Sequence, residues 1–73
     1  MYFRRLRDLR EDSDYLQKYI AEILGIEQTV YSRYERGHQT IPVIHLLKLA
    51  DVYNTSTDYI LGRTNNPDPY DKI

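Results

Sequence analysis

The stretch LQKYIAEILGIEQTVYSRYERG, Leu16 to Gly37, decides how the rest of the chain is read. Ile20, Ile23 and Leu24, with Ala21 beside them, recur at helical spacing, so the spacing predicts a helix from about Gln17 to Leu24. Gly25 follows at once, where a residue of left-handed conformation ends a helix. A second helix is predicted from Gln28 to Arg36, with Tyr31 and Tyr34 on its inner face and Gly37 ending it. Two glycines thus bracket a helix of about two and a half turns.

Working outward, Tyr2, Leu6 and Leu9 share one face of a helix running from about Tyr2 to Asp12. Its arginines fall mostly on the other side, with Asp8 and Glu11 between them, and Arg4, Arg5 and Arg7 read as charged surface. Asp12, Ser13 and Asp14 interrupt the pattern. On the other side, Pro42 suits the first turn of a helix over VIHLLKLADVY. Leu46, Leu49, Ala50 and Tyr53 form its buried stripe, and His45 falls on its outer face. Ser56 is a good N-cap for a last short helix, TDYIL, with Asp58 in its first turn and Gly62 stopping it. The expectation is an all-α domain of five helices over residues 1–62, followed by a flexible polar tail over 63–73.

Composition bounds what such a domain does. The 73 residues suffice for one domain. With no cysteine, disulfides and thiolate zinc sites are excluded. No apolar run approaches the ~20 residues that span a bilayer. The N-terminus MYFRRLRDLRED has no apolar core of a signal peptide, which points to the cytoplasm. His38 and His45 are the only histidines, without acidic partners at metal-ligand spacing. All three glycines are helix stops, so there is no phosphate loop. Neither an enzyme, a metal site nor a cofactor is indicated. The net charge is −1, but Arg4, Arg5, Arg7, Arg10, Lys18, Arg33 and Arg36 all lie in the first half. Phosphates respond to the charge of one face rather than to the sum.

The segment from Leu16 to Gly37 resembles the helix-turn-helix of Cro- and phage-repressor-like regulators, the Xre family, and the resemblance continues from Thr40 to Gly62. Ala21 matches the small residue where the two motif helices approach, and Gly25 the turn glycine. Ile20, Leu24, Ile26, Tyr31 and Tyr34 match the apolar positions that fix one helix on the other. The run SRYERG, Ser32 to Gly37, is common in the family. Three positions depart from it. Leu16 stands where a Ser or Thr cap is usual, leaving Asp14 as a substitute cap. Tyr31 replaces Ile or Val, and its hydroxyl needs a partner or water. Val43 stands where a Ser often caps the fourth helix.

The resemblance implies a lambda-repressor-like fold and a DNA-binding transcriptional regulator, most simply a repressor. It implies that Gln17 helps anchor the DNA backbone and that Arg10 and Glu35 pair across the domain. It also implies a homodimer on a palindromic double-stranded DNA operator, with contacts around Tyr59, Ile60 and Leu61.

The chemistry of the third helix supports this. Gln28, Thr29, Ser32 and Arg33 share one exposed face opposite Tyr31 and Tyr34. A helix entering the major groove needs such side chains against base edges. Arg33 can pair with guanine and Gln28 with adenine; Thr29 can meet a thymine methyl or a phosphate, and Ser32 is permissive. Arg36, His38 and Gln39 follow the helix and are either phosphate contacts or a solvated loop. Tyr31, Tyr34 and Tyr53 fall on core stripes, which favours packing over base stacking. The alternative is an antitoxin-like or adaptor domain whose helical surface meets a protein. The near-neutral charge suits it, and the absence of steep salt dependence in DNA binding would identify it.

Overall fold

The computed structural model describes residues 1–71; residues 72–73, part of the expected tail, lie outside it. The described residues form five helices: α1 (Arg4–Asp12), α2 (Gln17–Leu24), α3 (Gln28–Glu35), α4 (Val43–Val52) and α5 (Thr57–Ile60). There is no strand among the described residues. The core gathers aliphatic side chains of α1, α2, α4 and α5, namely Leu6, Ile20, Leu24, Leu46, Leu49 and Ile60, with Ala21 and Ala50, and is closed by Tyr31 and Tyr34 of α3. α2 packs most extensively on α3, and Ala21 is the small residue buried in α2.

All five helices end in the same way. Asp14, Gly25, Gly37, Asn54 and Gly62 have positive φ. After each, a backbone N–H reaches five residues back: Tyr15 to the Arg10 carbonyl, Ile26 to Ala21, His38 to Arg33, Thr55 to Ala50 and Arg63 to Asp58. The turn thereby satisfies carbonyls that the helix leaves free. Asp14 is therefore the stop of α1 and not a cap of α2. Its short polar side chain tolerates the left-handed conformation. α2 begins behind Leu16, whose side chain offers no cap bond, and α4 begins behind Pro42, also without one. Only α5 has a side-chain cap, Ser56 Oγ accepting from the Tyr59 N–H at 3.0 Å.

Four side chains depart from expectation: three from the helix face or surface assigned to them, and Ile60 from the dimer contact. Tyr2 precedes α1 and is exposed, standing with its Cβ against the backbone of Gly37. His45 is half-buried and faces Tyr34, ring centroids 6.2 Å apart. Ile60 lies inside the core at 1% exposure, because α5 is a single turn whose inner side closes the bundle. Arg5 is no surface charge. Its guanidinium donates to the carbonyls of Tyr59 and Thr64 at 2.8 and 2.6 Å and to Asn65 Oδ1 at 2.8 Å. It also lies 4.0 Å over the Tyr59 ring. The segment after Gly62 is further joined to the body by Thr55 Oγ1 donating to the Pro67 carbonyl and Tyr70 Oη to Asp58.

Candidate nucleic-acid interface

The inner side of α3 is held by an ion pair. Arg10 Nε and Nη2 donate to the two oxygens of Glu35 at 2.6 and 3.1 Å. The side chains are only 13% and 4% exposed. Arg10 Nη1 also donates to the Tyr15 carbonyl at 2.9 Å, and Gln17 Nε2 to Glu35 Oε1 at 3.1 Å. Three helices, α1, α2 and α3, therefore meet at one carboxylate. Burial opposes its ionisation, but Arg10, the neighbouring Tyr31 hydroxyl and Gln17 outweigh it. They hold Glu35 below the ordinary carboxylate range. Arg10 is correspondingly raised by its bond to Glu35. Burial and the Glu35 charge push the Tyr31 phenol well up, and burial does the same for Tyr53. Among the described residues neither hydroxyl makes a hydrogen bond of normal geometry, so the Tyr31 hydroxyl stands beside the Glu35 carboxylate without a well-formed bond to it.

The outer side of α3 is different in kind. Gln28, Thr29 and Arg33 are exposed and Ser32 is half-buried. Together with Gln17 and Arg36 they line one concave polar surface. Arg36 is steered by its own helix, its Nε reaching the Ser32 carbonyl at 3.4 Å. Among the described residues, Arg33 and Arg36 form no ion pair, whereas Arg4, Arg7, Arg10 and Arg63 each have a carboxylate partner. Gln17 spends one amide N–H on Glu35, which leaves the other for a ligand. His38 and Gln39 are exposed but do not line this surface.

Gly37 fixes how α3 leaves the site. Its φ is +75°, and a Cβ there would stand 2.8 Å from the Tyr2 Cβ and 3.0 Å from its Cα. Gly25, at φ +70°, has open space around it. Sequence reasoning found both stops but missed this second constraint at Gly37. The partner precedes α1 and is brought there only by the tertiary fold.

No three His, Cys, Asp or Glu side chains among the described residues are placed to hold a metal ion. No described helix is long and apolar enough to cross a membrane. The helix-turn-helix family model matches residues 6–60. Among relatives from Bacillus subtilis, the chain is 42% identical to the HTH-type transcriptional regulator YobD over 94% of this chain. It is 43% identical to the HTH-type transcriptional regulator ImmR over 82%, and 36% identical to AnsR over 86%. It spans 62%, 47% and 54% of their respective lengths. No solved structure matches it. With its five-helix all-α domain and a match that runs from the core of α1 to the end of α5, the chain belongs to the helix-turn-helix family of transcriptional regulators.

Proposed function

We propose that this chain is a sequence-specific double-stranded DNA-binding regulator, acting as a repressor in the cytoplasm, that reads the major groove with α3. One observation carries the proposal. Gln28, Thr29, Ser32 and Arg33 share a concave surface of polar side chains with Gln17 and Arg36, and among the described residues its two arginines have no carboxylate partner. Arg33 offers two parallel donors to guanine and Gln28 a donor and an acceptor to adenine. Thr29 and Ser32 take the neighbouring edges. Gln17 and Arg36 flank them as phosphate contacts, and His38 and Gln39 extend that contact along the loop.

The operator is a palindrome bound by two copies, whose α3 helices lie about one DNA turn, ~34 Å, apart. Contacts around α5 rest on Tyr59 and Leu61, since Ile60 is spent in the core. Val43, Ile44 and Leu47, exposed on α4, add apolar surface.

Selection of bound duplexes from a random pool, followed by binding over a salt series, tests the function. A defined two-fold motif and a steep fall of affinity with salt are expected. Binding without sequence preference or salt dependence would favour the protein-binding alternative, to which the exposed aliphatic groups of α4 are suited.

A further inference from the structure

The arginines of α1 stand at different angles to the core, because each residue advances about 100° around the helix. Leu6 and Leu9 mark the inner side. Arg5 flanks it toward α5 and is consumed there. Arg10 flanks it toward α3 and is consumed by Glu35. Arg4 points outward and pairs with Asp8. Arg7 lies one turn before Arg10, on the same flank.

Arg7 lines a polar concavity with Tyr2, Gln17, Ser32 and Arg36, whose two carboxylates, Glu11 and Glu35, are paired with Arg7 and Arg10. Gln17, Ser32 and Arg36 also line the concavity that holds Gln28, Thr29 and Arg33. The two are therefore one continuous surface, running from the outer face of α3 onto α1. We infer that Arg7 is a phosphate-binding residue of the nucleic-acid interface, flanking α3, with Glu11 holding its place in the free protein.

The inference rests on the DNA-binding reading above and extends the footprint to a helix outside the motif. Arg7 is ion-paired with Glu11 across one helical turn, and both side chains are at least half exposed. Such a pair is weak in water and readily exchanged. A duplex phosphate offers the guanidinium the same planar fork of acceptors in a stronger field. Glu11 therefore competes with DNA for Arg7.

The test uses the full chain and a duplex selected from a random pool by the wild-type protein, titrated over salt. Arg7→Ala lowers affinity about equally on every single-base variant and reduces the salt slope by about 0.9. Arg7→Lys keeps the slope. Glu11→Gln raises affinity about twofold, and loses that effect in the Arg7→Ala background. Arg4→Ala leaves the slope unchanged. Melting temperatures of the variants, expected near wild type, separate binding from folding. An unchanged slope in Arg7→Ala, or a loss confined to one base position, overturns the inference while leaving the α3 reading intact. A wild-type chain that shows no salt-dependent duplex binding overturns both.

Discussion

The two sides of α3 carry polar groups of opposite fate. On the inner side, Glu35 is buried and met by Arg10 and Gln17, so its charge is fully spent on joining α1, α2 and α3. On the outer side, Gln28, Thr29 and Arg33 are exposed, and among the described residues Arg33 makes no ion pair. One helix thus holds its place with a satisfied carboxylate while leaving its other polar edge to solvent. Stability and recognition should then be separable along a helix of eight residues.

The largest effect is expected on the inner side. Glu35→Ala leaves the Arg10 guanidinium almost buried and unpaired, which costs about 3–5 kcal/mol. Thermal unfolding should show a large fall in Tm, and the same base preferences should persist wherever the variant still folds. The pair also predicts a pH dependence. Glu35 is held below its ordinary value, so its stabilisation is complete above the unfolded carboxylate pKa of about 4.3. It is lost as pH falls through the lower folded value. The Tm gap between wild type and Glu35→Gln should therefore be constant near neutrality and shrink below about pH 4. A gap that widens on acidification would mean that the Glu35 charge does not stabilise the inner side of α3.

Next in size is Gly37→Ala, which combines a left-handed backbone with a contact against Tyr2 that the backbone must relieve. A loss of about 2–3 kcal/mol is expected in denaturant unfolding. Arg33→Ala, on the outer side, should leave Tm near wild type. On single-base variants of the operator it should lose roughly 1–3 kcal/mol of discrimination at one position. A uniform loss would make Arg33 a backbone contact. The smallest effect is Gly25→Ala, where space is open and only the positive φ is strained, for about 1 kcal/mol.

The helices were legible in the sequence because helix signals are local. The spacing of Leu46, Leu49 and Ala50, or the stop at Gly25, is contained in one turn and its flank. Arg5 was not legible for the opposite reason. Two of its partners are backbone carbonyls 54 and 59 residues away, which leave no residue signature. Tyr2 matched the spacing of Leu6 and Leu9, yet α1 starts after it. Periodicity fixes a face and not a boundary. Asp14 was ambiguous because Asp suits both a helix start and a left-handed stop. At the site, sequence supplied the outer face of α3. The continuity of that face with Gln17, Arg36 and Arg7 depends on how α1 and α2 cross it, which only the tertiary structure provides.

The most direct measurement replaces each operator guanine in turn by 7-deazaguanine, which removes the major-groove N7 acceptor and leaves the minor groove unchanged. Wild-type affinity should fall at the guanine opposite Arg33, and Arg33→Ala should be indifferent to the same substitution. Wild-type binding insensitive to the loss of N7 at every guanine, on an operator whose selection demands guanine, would contradict major-groove reading by α3.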